Sequence, residues 1–406
     1  MRIAMISEHA SPLAHLGDVD AGGQNVHVAE LSAALARRGH DVVVFTRRDD
    51  PQQPECVETE HGYSVVHVPA GPACALPKDQ LLQYMYGFAH FLAGHWRARP
   101  PDVAHAHFWM SGLATQRAGR EHRIPTVQTF HALGLVKRYH QGADDTSPDC
   151  RIGLEALVAR GADWVAATST DEVFELVRMG RARSHTSVVP CGVDIDAFRP
   201  DGPAAPRGAR KRIVSVGRLV PRKGFETLIR AMPRIPGAEL VIVGGPARAA
   251  LPGDHEARRL HRLADQLGVA DRVRLLGGIT RGEMPAVLRS ADLVACTPWY
   301  EPFGIVPLEA MACGVPVVAS AVGGIRDTVV DDVTGRLVPP KDPAALAKAI
   351  NPLLDDGRRR AAMGRAGRDR ARARYTWDRI GTDTERVYEK LARARREVST
   401  LNTRSG

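Results

Sequence analysis

Short, unbroken apolar runs in this chain alternate with longer stretches whose apolar positions recur at helical spacing. That alternation predicts strands buried on both faces, joined by crossover helices, and so parallel sheets. The first strand is expected over 2–6, followed by a helix over 25–38 with Val26, Ala29, Leu31, Ala33 and Leu35 as its apolar stripe. Further strands are expected over 41–46, 64–68, 103–106, 126–129, 164–168 and 188–190. Residues 194–212 are rich in Pro, Gly, Ala and Arg, the composition of a linker. The pattern then restarts, with strands over 212–216, 240–243, 273–276, 293–296 and 316–319 and a helix around 227–232. The expected fold class is α/β, with two doubly wound parallel-sheet domains of Rossmann type over 1–195 and 205–375. A last helix is expected over 376–395. Two such domains facing each other would form a cleft at the carboxyl ends of their strands.

Composition agrees with this picture and removes several alternatives. The chain has 406 residues, 44% of them apolar and 25% charged, which suits two soluble globular domains. The net charge is +9, and only seven of the 55 basic residues are Lys. No basic patch interleaved with aromatics appears, so nucleic acid is not an expected partner. The six cysteines are scattered without a C-x-x-C pair, which reads as a reduced, cytoplasmic thiol set. Neither a signal peptide nor a spanning segment is evident, and the Arg-rich stretch 358–374 reads as a solvated helix face. Peripheral membrane contact is the less favoured reading of that stretch, and a homodimer stays open.

Four loops carry candidate chemistry. Gly22 and Gly23, with Gln24 and Asn25, open the first helix after a long loop, where backbone N–H groups can approach an anion. The segment is not G-x-G-x-x-G, and Arg47-Arg48 ends the second strand where a nicotinamide enzyme carries an acidic ribose ligand. Gly217-Arg218-Leu219-Val220-Pro221-Arg222-Lys223-Gly224 ends the first strand of the second domain. Two cations at a strand end suit a phosphate-bearing small molecule, and ligand binding is preferred to a plain basic surface loop. His131 follows a predicted strand. Glu301 and Glu309 flank Pro302-Phe303-Gly304-Ile305, a turn that opens an apolar helix. A carboxylate at that turn can accept hydrogen bonds from sugar hydroxyls, and the N–H groups of the helix start point the same way. The later Ala321-Val322-Gly323-Gly324-Ile325-Arg326-Asp327 reads as a cap or tight turn with no catalytic role.

Taken together, the Arg218/Lys223 loop and the Glu-x7-Glu segment resemble the signature of the family-4 retaining glycosyltransferases, over essentially the whole chain. The resemblance implies the GT-B fold, with the last helix crossing back to the first domain, and transfer from a nucleoside-diphosphate sugar, a UDP-sugar first, with no metal or other cofactor. It implies that Arg218 and Lys223 grip the diphosphate, that Glu301 holds donor-sugar hydroxyls and Glu309 the ribose. Phe303, Gly304, Ile305, Gly22 and Gly23 would complete the donor site. His131 would lie beside the reacting sugar.

The acceptor side resembles the family's inositol-phosphate N-acetylglucosaminyltransferases through His105-Ala106-His107-Phe108-Trp109, Lys78 and Arg151. The Gly-Gly-Gln loop is similar to that of sucrose-phosphate synthases. Lys78 and Arg151 match two of the side chains that hold the acceptor phosphate in the inositol-phosphate enzymes. Phe108 stands in place of a Tyr and Ala132 in place of a Thr, so two hydroxyl donors are gone. Two lost hydrogen bonds to a charged group are worth about 3–6 kcal/mol. The implied acceptor is therefore a small polar molecule, either phosphorylated or a neutral sugar or cyclitol, contacted by Asn25, Lys78, Phe108 and Arg151. A nucleotide-sugar epimerase and a non-catalytic nucleotide-sugar-binding protein are the alternatives from other classes.

Overall fold

The computed structural model describes residues 1–14 and 22–404, with side chains up to Arg395. Residues 15–21 of the long loop before Gly22 lie outside the described residues. The chain divides into two units, Met1–Pro190 with Trp377–Gly406, and Cys191–Thr376.

The first unit is built on eight strands: β1 (Arg2–Ile6), β2 (Asp41–Arg47), β3 (Cys56–Glu58), β4 (Ser64–Val68), β5 (Val103–His107), β6 (Thr126–Thr129), β7 (Trp164–Ala167) and β8 (Thr186–Val188). They lie in the order β3-β4-β2-β1-β5-β6-β7-β8. Every pairing is parallel except that of β3 with β4. Ile3, Met5, Val44, Val65, Val103 and Val165 are fully buried, as strands covered on both faces require. β3 escapes the sequence pattern because its three residues carry no apolar run and lie at the sheet edge. The last strand of this sheet runs over Thr186–Val188 rather than 188–190, since Val189 already bonds back to Ala167 as the chain leaves the sheet.

The helix Trp377–Arg404 belongs to this first unit. It buries Ile380 and Tyr388 completely. The Tyr388 hydroxyl meets His105 Nδ1 at 2.6 Å, under the carboxyl end of β5. Glu385 pairs with His40 and Arg38 at the end of the first helix, Gly23–Arg37.

The second unit holds β9 (Lys211–Val216), β10 (Ala238–Val243), β11 (Val273–Gly277), β12 (Leu293–Cys296), β13 (Val317–Ser320) and β14 (Gly335–Val338). Their order is β11-β10-β9-β12-β13-β14, all parallel. Counted from its own first strand this is 3-2-1-4-5-6, the doubly wound order with its switch point between β9 and β12. The edge strand β14, Gly-Arg-Leu-Val, is too short and too polar at its centre to announce itself in the sequence. Residues 191–210, which take in most of the 194–212 stretch that reads as a linker by composition, clad this unit instead. Val193 and Phe198 are buried there, Ala205 N–H bonds to Ala286 O, and Arg207 pairs with Asp292.

The Arg-rich stretch forms the helix Gly357–Arg374, packed through Met363, Gly364, Gly367 and Ala371. Several of its arginines have partners within the unit: Arg359 with Asp332, and Arg360 and Arg370 with backbone carbonyls. Among the described residues no helix is long and apolar enough to cross a membrane.

Candidate active site

In the second unit, the loops leaving β9 and β12 are neighbours because the strand order reverses between them. The β9 loop ends in a single turn over Pro221–Lys223, closed by Gly224 at φ +70°. A Cβ on Gly224 would lie 1.8 Å from Thr297 O, so only glycine lets this loop touch the end of β12. Two bonds stitch the contact: Thr297 Oγ1 donates to Gly224 O (2.9 Å) and Trp299 N–H to Arg222 O (2.8 Å). This seam brings Lys223 Nζ to 2.5 Å from Glu301 Oε2, with the side chains only 19% and 15% exposed. Burial raises the Glu301 pKa, but Lys223, Arg222 and the Phe303 N–H outweigh it and hold the carboxyl below its ordinary value. Glu301 is therefore a carboxylate at neutral pH. Arg218 stands exposed at the start of the same loop.

Glu309 has a different environment. It lies one turn into the helix Ile305–Ala312, whose N-cap Gly304 takes φ +78°. Glu309 is buried and bonds to Arg281 Nη1 at 3.2 Å. Burial outweighs the opposing guanidinium and pushes its pKa up to about 7. Both glutamates act on the buried Cys296 thiol at the end of β12, which is itself pushed up to about 12, mainly by burial.

The segment after β13, which from sequence reads only as a turn, holds Glu301 in place. Gly324 N–H donates to Glu301 O at 3.0 Å. A Cβ on Gly323 (φ +46°) would meet Glu301 O at 2.2 Å, and one on Gly324 would meet Pro302 O at 2.6 Å. Paired glycines just beyond a strand end were the available signal, and their contact lies more than twenty positions away in the chain.

In the first unit the strand order reverses between β1 and β5, and the expected residues Gly22, Gly23, Asn25 and Phe108 follow these two strands. Asn25 is buried and turned to holding its own loop: Oδ1 accepts from Gly22 N–H (3.0 Å) and Nδ2 donates to Ser11 O (2.9 Å). Gln24 reaches Ser7 Oγ and His107 O. Phe108 and His131 both sit at positive φ, 82° and 63°, uncommon for side-chain-bearing residues. Gln128 Nε2 donates to Phe108 O at 3.0 Å and props that backbone.

His131 Nε2 meets His107 Nδ1 at 2.9 Å. His107 in turn packs on His105 with ring centroids 4.2 Å apart, and the His27 ring lies 5.1 Å from that of His131. Burial, then repulsion from His27, His105 and His9, keeps the His131 pKa well below its ordinary value. It is a neutral imidazole, suited to hydrogen bonding rather than to carrying charge. Sequence reading missed a second group beside it. Glu8 is buried, takes the Ser111 hydroxyl and meets His9 Nδ1 at 2.7 Å, and the His9 ring stands edge-on to Phe108 at 4.8 Å. Their signal was faint, a Glu-His pair directly after the first strand.

Lys78 opens the 3-10 segment Lys78–Tyr84 and is half-buried. Its neighbour Asp79 accepts from Thr146, next to Ser147. Arg151, 2% exposed, bonds to Glu155, Ser147 and Ala132 O, and its guanidinium lies 5.1 Å from the Phe108 ring centroid. Among the described residues no three His, Cys, Asp or Glu side chains converge as a metal site.

Comparison with known proteins agrees with this geometry. Residues 21–197 match the family model described as Glycosyltransferase Family 4, and residues 202–370 that described as Glycosyl transferases group 1. The D-inositol 3-phosphate glycosyltransferase of Xylanimonas cellulosilytica is 39% identical, over 97% of this chain and 98% of that protein. The enzyme of the same name from Mycolicibacterium smegmatis is 39% identical over 93% of this chain and 88% of its own. Among solved structures, sucrose-phosphate synthase from Thermosynechococcus elongatus superposes with a TM-score of 0.87 at 33% identity, covering 97% of this chain and 99% of that one. The two doubly wound units and these matches define a glycosyltransferase of the GT-B fold. The chain belongs to family 4 of these enzymes and is homologous to the D-inositol 3-phosphate glycosyltransferases.

Proposed function

We propose that this enzyme transfers a sugar, with retention of anomeric configuration, from a UDP-sugar to a hydroxyl of a small polar acceptor. The observation that carries this reading is the Lys223–Glu301 pair, 2.5 Å apart and mostly buried, with Arg222 and Arg218 on the same loop. Glu301, kept ionised, accepts hydrogen bonds from donor-sugar hydroxyls. Lys223 and Arg218 stabilise the charge that gathers on the diphosphate as its oxygen leaves the anomeric carbon. The N–H groups at the Gly304–Ile305 helix start face the same charge. The acceptor oxygen bonds to the anomeric carbon from the face the phosphate vacates, and the departing phosphate oxygen takes its proton. His131, neutral, hydrogen-bonds the reacting sugar. The test is mass spectrometry of the purified protein with UDP-, GDP- and ADP-sugars and a panel including D-inositol 3-phosphate, fructose 6-phosphate, inositol and free sugars. A product of acceptor plus one glycosyl residue is expected. Donor isomerised without acceptor would instead make the chain an epimerase, and binding without any product would make it a binding protein.

Glu309 supplies a pH test of the donor site. As a ribose ligand it acts as a carboxylate, and its pKa of about 7 puts that ionisation within the working range. If only the ionised form binds, the donor KM falls about tenfold between pH 6 and pH 8. Glu309→Gln is expected to flatten that dependence. Stability runs the other way: the folded pKa lies above the ordinary 4.5, so protonation favours the fold. That contribution is complete below about 4.5 and is lost as the pH rises through about 7. A donor KM independent of pH in the parent enzyme would remove Glu309 from the ribose site.

A further inference from the structure

Arg151, one of the two cations expected to receive an acceptor phosphate, is committed to a carboxylate within the first unit. Arg151 Nε donates to Glu155 Oε1 at 2.7 Å, and these side chains are 3% and 0% exposed. The other Glu155 oxygen accepts from Gly134 N–H at 2.7 Å, so the carboxyl group is held on both sides, while burial raises its pKa against Arg151 and this bond. Arg151 Nη1 donates to Ser147 Oγ and Nη2 to Ala132 O, while the Phe108 ring lies against the guanidinium. A Cβ on Gly134 would sit 2.9 Å from Arg151 Nε, so the helix start at Gly134 closes on it as well. Lys137 is answered in the same way by Asp145, at 2.8 Å. Asp145 is 1% exposed and its pKa lies well below the ordinary carboxylate range, because hydrogen bonds from Lys137 and Ser147 outweigh its burial. Arg138 lies against Asp145 and Asp149.

We infer that the acceptor of this enzyme carries no phosphate at the Arg151 subsite and is a neutral polyol or sugar; this rests on the transferase reading given above. A phosphate dianion seated there would have to pull the guanidinium from a buried carboxylate and leave that carboxylate unpaired. It would also have to displace the Phe108 ring. The two positions where a hydroxyl would help an anion, Phe108 and Ala132, are the ones that cover Arg151 and bond to it through a carbonyl. A neutral acceptor needs none of these changes. It can use the carbonyls and the imidazoles of the strand ends, whose net charge is small.

The test compares acceptors in matched pairs on the full chain: inositol with D-inositol 3-phosphate, fructose with fructose 6-phosphate, glucose with glucose 6-phosphate. The neutral member is expected to have the higher kcat/KM by at least about tenfold. A tenfold preference for a phosphorylated member overturns the inference while leaving the transferase reading intact. If no acceptor is used, the transferase reading fails separately, and calorimetry decides the subsite. With UDP present, D-inositol 3-phosphate or inorganic phosphate binding tighter than about 1 mM, and lost in Arg151→Gln, overturns the inference; no such binding upholds it. Glu155→Gln frees the guanidinium and is expected to raise the phosphorylated-to-neutral ratio at least tenfold. An unchanged ratio in a folded Glu155→Gln protein overturns the inference. Should that variant not fold, Phe108→Tyr with Ala132→Thr restores two hydroxyls and is read by the same ratio.

Discussion

Lys223→Ala is expected to lower kcat by at least about 100-fold, with the far-ultraviolet circular dichroism unchanged. Removing one preorganised donor aimed at developing charge typically costs about 3–4 kcal/mol of transition-state stabilisation. Lys223 has two tasks here. Besides the diphosphate contact proposed for it, it holds Glu301 ionised in a site where burial alone would favour the neutral acid. Without the ammonium, Arg222 is the remaining nearby cation acting on Glu301, and its guanidinium lies against the Tyr300 ring rather than in a hydrogen bond to the carboxylate. The variant therefore loses both the cation and part of the Glu301 charge. Two controls separate chemistry from folding. The melting temperature should fall modestly, because a buried carboxylate left alone can protonate. Lys223→Arg should recover less than the full rate, because a planar guanidinium cannot reproduce a 2.5 Å point contact with Glu301. Turnover within threefold of the parent in a folded Lys223→Ala protein would remove this loop from the catalytic site.

Gly323→Ala should lower kcat/KM for the donor by about 30–100-fold, although residue 323 lies outside every expected contact with ligand. The new methyl would start 2.2 Å from Glu301 O at a φ of +46°, so the Glu301 backbone or the Gly323 turn must move. A shift of about 1 Å in a positioned group is enough for a 100-fold loss. The neighbouring Gly324 N–H bond to Glu301 O would be lost or bent as well. The effect should appear in donor binding and rate together, leaving acceptor KM unchanged, because the residues held by this turn are those of the donor side. Kinetics at saturating acceptor with varied donor is the measurement. An unchanged donor KM and kcat would mean that the turn is only a turn.

The charged loops proposed for the donor site were legible in the chain because their residues are compact in sequence. Arg218, Lys223 and the glycine after them share one loop, and Glu301 and Glu309 flank one turn. Sequence could not show that the two glutamates differ. Glu301 gains Lys223 across 78 positions and stays ionised, while Glu309 gains a half-exposed Arg281 and titrates near neutrality. The acceptor side was less legible. Asn25 and Arg151 have the right chemistry for ligand contacts, yet both spend their hydrogen bonds on the protein. Glu8 and His9 attracted no notice because two polar residues at a strand end have no period to betray them.

The sequence by itself determined the α/β class, most strand positions and the identity of the charged loops. Apolar periodicity and glycine placement are properties of neighbouring residues, and they survive without knowledge of the fold. Tertiary structure alone decided which strand ends lie side by side, and so which charges meet. Strand order reverses between β9 and β12, Gly224 allows their loops to touch, and only then does Lys223 reach Glu301. The same holds for Arg151, whose charge is available or cancelled according to where the buried Glu155 points. Ionisation and availability depend on distances of a few ångströms between residues far apart in the chain, and those distances are set by packing rather than by pattern.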